Sequence, residues 1–324
     1  MPSRMTAVPA NVEEPSKPDD ATHSAPQAEV AIELEAAPPA SEPDHLAPSP
    51  ASEFLAKVGL QSKMQTVQAL NAQMALEHPH IEELFPTIEG DPALLKRFLQ
   101  FANGGWFNTR IQIDSPYMAY TRFGTQGFYR IALAAFVSEG IGELTTRFRI
   151  WPHLQSVART GEMLARQLAP KFVDDVFAVG LMHDAVAPAM QRELQDYLYF
   201  LECALNIDPL VTSLESECHG FNHAQAAAEL AAALHFPAHV IEAIARHHAD
   251  DIADVPAGDA KTTLALLLVT KRAIWVQRTG RRSAFETTTE KALLAEIASA
   301  LNVSTARIQQ AVMDLVDLLS LQNG

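Results

Sequence analysis

An adjacent His183-Asp184 pair sits inside the apolar run from Phe177 to Met190, flanked by Leu181, Met182, Ala185 and Val186. Imidazole and carboxylate are the side chains that hard and borderline divalent ions accept most readily, so a His-Asp step on a buried helix is a candidate for metal and phosphate chemistry. The dipeptide alone carries little, because a His on an apolar face also serves as a core residue bonded to a local carbonyl. Three further segments bring the same residue types: Trp151-Pro152-His153 opens one helical pattern, His223-Ala224 opens another, and His247-His248 ends a third. Adjacent helical residues diverge by roughly 100°. His247 and His248 therefore face one cavity only if their helix finishes there.

Taken in order, these segments resemble the HDOD family, a signalling-associated relative of the HD phosphohydrolases. Its members read Trp-x-His, Gly-Leu-x-His-Asp, His-Ala and His-His, as Trp151/His153, Gly180/Leu181/His183/Asp184, His223/Ala224 and His247/His248 do here. The resemblance extends upstream through Asp91-Pro92-Ala93-Leu94, Phe101-Ala102-Asn103, Ile113-Asp114-Ser115, Ala119, Phe123-Gly124 and the apolar Ile131 to Val137. It implies an all-α, two-lobed HDOD/HD-like fold whose helices send His153, His183, Asp184, His223, His247 and His248 to one cavity.

The same resemblance implies what is missing. In the catalytic HD pattern a final Asp completes the metal site formed with the first His and the His-Asp pair, and matching Leu266 to Arg272 to the family segment places Lys271 there. Ala187 stands where HD-GYP phosphodiesterases carry a Lys, Arg149 replaces an acidic residue one turn before His153, and no Gly-Tyr-Pro follows His248. A dinuclear phosphohydrolase needs its metals to lower the pKa of a bridging water and to neutralise phosphoryl oxygens. Losing a carboxylate and gaining a cation opposes both tasks. The expectation is a degenerate HD site with no catalytic residue and no metal cofactor. The chain is then a non-enzymatic signalling module acting through contacts with a signalling protein partner, and a nucleotide is the candidate ligand of the cavity. The alternative is a metal-dependent phosphodiesterase acting on a nucleotide second messenger, with Mn, Fe or Mg held by the six residues. Asp184 in an apolar cavity must be paired or protonated. Lys271 is expected to take the metal's place, its ammonium beside Asp184 and within reach of His153 or His183.

The elements that must position these residues follow from composition and periodicity. The chain has 324 residues and a net charge of −15, which repels phosphate backbones and disfavours direct nucleic-acid binding. Its two cysteines, Cys203 and Cys218, make no disulfide framework and fit a reducing cytoplasm. No run approaches the roughly 18 to 20 apolar residues that span a bilayer. A soluble cytoplasmic protein without a membrane partner is expected. Residues 1–52 are rich in Pro, Ala, Glu and Ser and are expected to form a disordered acidic tail. Helical lobes at 53–145 and 146–324 follow.

Within the lobes, Asp91 reads as an N-cap with Pro92 at the first helical position. Ile150 to Leu168 is an amphipathic helix closed by Ala169-Pro170. Asp174 or Asp175 is expected to cap the helix carrying His183-Asp184, which Pro188 ends or kinks. Asn222 caps the helix that opens with His223, a Phe236-Pro237 break precedes the helix ending at His247-His248, and Ser304 caps the last helix. His219, His235 and His239 match no ligand position of the family and read as ordinary, partly exposed residues. Lys271, Arg272, Arg278, Arg281 and Arg282 form the only local basic cluster, expected to complete a helix C-terminus and a solvated turn at Gly280.

Overall fold

Ser49 and Pro50 start the first helix, α1 (Pro50–Val58). The Ser49 hydroxyl accepts from the Ser52 amide at 3.0 Å, and the proline occupies a position whose N–H would have no helical partner. This computed structural model describes residues 48–104, 110–141, 150–195, 197–199, 210–249, 251–280 and 285–322. The expected tail lies outside the described residues as far as 47, and so do Arg149, Cys203, Arg281 and Arg282. Its expected boundary at 52 is too late. Ala51 is already buried, and the Ser49 hydroxyl also reaches both carboxylate oxygens of Glu229 at 2.7 and 2.8 Å.

Every regular element among the described residues is helical. Gly59, at φ 64°, turns α1 into the short α2 (Leu60–Lys63), followed by α3 (Gln65–Met74), a 3-10 turn (Ile81–Leu84) and α4 (Phe85–Gly90). Asp91 caps α5 (Pro92–Ala102) by accepting from the amides of Ala93 and Leu94. α6 (Pro116–Ile141) breaks at Gly124, whose φ of 67° and ψ of −177° suit glycine alone. Beyond the break, Ile131 to Val137 is almost wholly buried, and α6 packs against α3, α5 and the later α8. This covers the apolar run.

The site-bearing helices are α7 (Ile150–Leu168), α8 (Val173–Met182), α9 (Ala187–Glu193), α10 (Val211–His219), α11 (His223–Ala233), α12 (Ala238–Ala245) and α13 (Asp259–Thr279). α14 (Thr288–Leu301) and α15 (Thr305–Gln322) pack on α13, which also packs on α7, α8 and α12. Helix α13 is thus central, and Leu264 to Leu267 on it are fully buried. The described helices belong to one unit, Ala47–Gly324. None is long and apolar enough to cross a membrane.

One expected cap is absent. Asp174 and Asp175 fall in the first turn of α8, where they favour the positive end of the helix dipole without capping it. Asp174 pairs with the buried Arg130 of α6, and Asp175 Oδ1 lies 3.1 Å from His239 Nε2 of α12. Both carboxylates face neighbouring elements, and the Asp174 pair ties α8 to α6.

Candidate functional site

Helix ends bring the ligand-type side chains together. His153 lies in the first turn of α7, His183 is the C-cap of α8, and Asp184 follows in the turn before α9, where Pro188 sits in the first helical turn. His223 is the first residue of α11, held there by Asn222, whose side chain accepts from the Gln225 amide at 2.8 Å. α12 stops at Ala245, so His247 and His248 occupy turns and both reach the same cavity. This is the ending that two adjacent histidines required.

Asp184 joins two halves of this cluster. Its Oδ2 lies 3.2 Å from Nε2 of His183 and 3.5 Å from Nε2 of His153. Its Oδ1 lies 3.2 Å from Nε2 of His247 and 3.5 Å from Nε2 of His223. His223 Nε2 is in turn 3.0 Å from Nε2 of His248 and 3.2 Å from Nε2 of His247. The whole cluster is buried: His223 is 0 %, His183 and His247 1 %, Asp184 2 %, and His153 and His248 9 % exposed.

The outer nitrogens decide where the imidazole protons sit. His183 Nδ1 donates to the Gly180 carbonyl (3.1 Å), His247 Nδ1 to the Ile244 carbonyl (2.7 Å), and His223 Nδ1 to the Glu215 carboxylate (2.6 Å). In a neutral ring the second nitrogen is then a bare lone pair. Three such lone pairs converge on Asp184. The carbonyl bond that a plain core histidine would make is present, but it faces away from the cavity.

Glu215 of α10 was not singled out by sequence, because it lies eight residues before His223 in no recognisable spacing. It is fully buried and accepts from the His223 amide (2.9 Å), from His223 Nδ1 and from the Tyr197 hydroxyl (3.0 Å). Burial and the Glu215 charge push the Tyr197 hydroxyl well above its ordinary pKa, so it stays a donor.

Lys271 lines the cavity, but not as expected. Its Nζ donates to the His247 carbonyl at 2.7 Å and makes no ion pair with Asp184. Burial pulls its pKa from 10.5 down to about 8, with the more distant Asp184 charge opposing that fall. The physical reason for the correction is local: the carbonyls ending α12 lack helical donors, and an ammonium satisfies one of them. Arg278 lies in the exposed last turn before Gly280, as expected, and from there its Nη2 comes within 3.5 Å of Nδ1 of His153. Arg272 pairs with Glu290 at 2.9 Å and rests on Trp275.

Burial raises the Asp184 carboxyl, but the surrounding imidazoles, His183 first, outweigh it and hold Asp184 well below the usual carboxylate range. Burial, followed by the Lys271 charge, keeps His247 and His248 below their usual value, and burial does the same to His153. An ionised Asp184 thus borders the neutral imidazoles of His153, His247 and His248.

These residues fit a divalent ion. Asp184, His223, His247 and His248 each offer a ligand atom within 4.8 Å of the others, as do His153, His183 and Asp184. Donors around a tetrahedral ion bound at about 2.0 to 2.1 Å stand roughly 3.3 Å apart, close to the nitrogen spacings here. Asp184 Oδ1 is buried without a hydrogen-bond donor.

Fold and site together define a helical HD-type domain. The sequence matches the HDOD domain over residues 60–250, more than half of its length, and the chain belongs to that family. Among solved structures it is similar to a provisionally named phosphohydrolase from Shewanella amazonensis SB2B (16 % identity over 80 % of this chain and 97 % of that one, TM-score 0.58). It is also similar to a provisionally named signal transduction protein from Marinobacter aquaeolei VT8 (15 %, 84 % and 59 %, TM-score 0.61). A third is an HDOD domain protein of unknown function from Geobacter sulfurreducens (17 %, 80 % and 98 %, TM-score 0.53). At these identities the likeness is one of fold. No curated protein matches the chain.

Proposed function

We propose that this HDOD protein is a non-catalytic regulatory module of the cytoplasm, working through contacts with a signalling partner rather than by hydrolysing a phosphoester. The division into lobes at 53–145 and 146–324 belongs to the same reading, with their junction as the surface whose shape a partner reads. The observation that carries it is Lys271. A buried ammonium fixed to the His247 carbonyl stands in the cavity wall where catalytic relatives, by the resemblance, supply a carboxylate ligand. Positive charge there opposes the accumulation of metal charge that phosphoryl transfer uses.

The second reading, a phosphodiesterase acting on a nucleotide second messenger, is favoured by the convergence of five histidines and Asp184. One assay separates the two. The purified chain is incubated with a cyclic nucleotide phosphodiester and Mn²⁺, Fe²⁺ or Mg²⁺, beside an Asp184→Ala control. The regulatory reading expects no turnover above the control. Turnover that depends on metal and on Asp184 sinks it.

A further inference from the structure

The cluster is asymmetric about Asp184. On the Oδ2 side of Asp184, His153 Nδ1 meets no acceptor among the described residues; the group facing it is the Arg278 guanidinium, a donor. The His153 proton is therefore placed on Nε2, directed at Asp184 Oδ2 and at the His183 lone pair 3.3 Å away. That side already holds an internal hydrogen, and His153 would have to move its proton toward a cation in order to ligate.

The Oδ1 side offers more donors, and among the described residues no guanidinium lies within hydrogen-bond distance of their outer nitrogens. His223 and His247 both have their protons locked outward on Nδ1 by Glu215 and the Ile244 carbonyl, leaving lone pairs that face Asp184 Oδ1, which has no donor. His248 carries the one hydrogen on this side, on Nε2 and aimed at the His223 lone pair 3.0 Å away. With the His223 lone pair met by that hydrogen, the His247 lone pair and the ionised Oδ1, 3.2 Å apart, still repel one another, and a cation between them relieves this. His248 Nδ1 has no hydrogen-bond partner and can take the proton from Nε2, so an entering ion completes a set of three nitrogens and one oxygen.

We infer that the chain holds a single transition-metal ion, bound by Asp184, His223, His247 and His248, and that the half formed by His153 and His183 stays metal-free because Arg278 fixes His153 in the non-ligating tautomer. Three imidazoles and one carboxylate select an ion of the zinc, iron or cobalt kind over magnesium or calcium. Lys271 lowers the affinity through its charge but leaves the donor set whole, because it is bonded to the His247 carbonyl and not to a ligating atom. Glu215 is a positioning residue for His223.

This deepens the regulatory reading, since one ion ringed by protein donors is a structural or sensing centre and not a dinuclear hydrolytic one. The two remain separable. A metal titration contains no phosphoester, so the ion count can fail while the absence of turnover stands, and the reverse.

The test uses the full chain, stripped with chelator and titrated with Co²⁺ while visible absorption is recorded. One equivalent is expected. His153→Gln should keep that equivalent at near-native affinity. His248→Gln, in a turn and not inside a helix, should lose it or bind about tenfold more weakly or worse, and Glu215→Gln should weaken binding roughly 10- to 100-fold. Circular dichroism checks that each variant is folded. Should His248→Gln fail to fold, NMR of the native Co²⁺ form decides, through two paramagnetically shifted Nδ1–H signals that exchange slowly because Glu215 and Ile244 hold them. Two equivalents, none, dependence on His153 instead of His248, or the absence of those two signals overturns the inference.

Discussion

Lys271 Nζ donates to the backbone carbonyl of His247 at 2.7 Å and leaves Asp184 to the imidazoles. A buried ammonium held by one neutral carbonyl is not half of an ion pair, and this changes what its removal should do. The fall of its pKa from 10.5 to about 8 corresponds to roughly 3 kcal/mol against the charged form at about 1.4 kcal/mol per unit. Losing the hydrogen bond returns about 1 to 2 kcal/mol of that. Lys271→Met, which keeps the stem, should therefore raise stability at pH 7 by about 1 to 2 kcal/mol in urea denaturation. A loss of about 3 to 5 kcal/mol, the usual result of breaking a buried pair, would restore the pairing with Asp184 expected from sequence.

Glu215 should behave in the opposite way. It receives three buried donors, from Tyr197 and from the amide and ring of His223. Glu215→Ala orphans all three at about 1 to 3 kcal/mol each, so thermal and chemical denaturation should both show a loss of at least about 3 kcal/mol. Tyr197→Phe removes one donor and its bond together and should lose about 1 kcal/mol. Equal losses in the two variants would mean that Glu215 is merely filling space.

In chelator-treated protein, acid should act through the imidazoles. The folded-state pKa values of His153, His247 and His248 lie below the ordinary 6.5, by burial first. Below pH 6.5 the unfolded chain takes up protons that the folded chain refuses, so stability falls as pH falls, by up to about 1.4 kcal/mol per pH unit for each such group. Asp184 is depressed, so its contribution is fully present above its ordinary 3.8 and disappears only below that. It plays no part between pH 6.5 and 5. Urea midpoints across that window should drop steeply, and a flat profile would contradict the neutral-imidazole assignment.

Legibility followed the range of the interactions. Asp91, Asn222 and Ser304 cap helices as read, because a cap is settled within four residues. The HDOD motifs named six clustered residues, since each sits at a helix end marked by Pro, Asn or the end of an apolar pattern. Glu215 and Arg278 were not legible as parts of the site. Their roles depend on how α10 and the end of α13 meet α11 and α7, and no spacing records that. Asp174 failed as a cap because Arg130, 44 residues earlier in the chain, competes for it.

The glycine of the Gly-Leu-x-His-Asp segment offers the sharpest structural test. A Cβ on Gly180 would stand 2.4 Å from Cα and 2.5 Å from N of Ala158, and these are backbone atoms that cannot rotate away. Gly180 is a helical residue of α8, so alanine would normally gain about 0.5 to 1 kcal/mol there by helix propensity. Contact geometry reverses the sign. α7 and α8 must separate to accept the methyl, and overpacking of this kind typically destabilises by about 1 to 3 kcal/mol. The separation also moves His153, on α7, from His183 and Asp184 at the end of α8, while His223 stands on α11 and His247 and His248 in the turns after α12. Gly180→Ala should thus lower the denaturation midpoint and yet keep a Co²⁺ equivalent bound on the Asp184 Oδ1 side. Gly90→Ala serves as the control, because nothing lies within 4 Å of its added methyl. If Gly180→Ala is as stable as the control, close approach of α7 to α8 is not what this position requires.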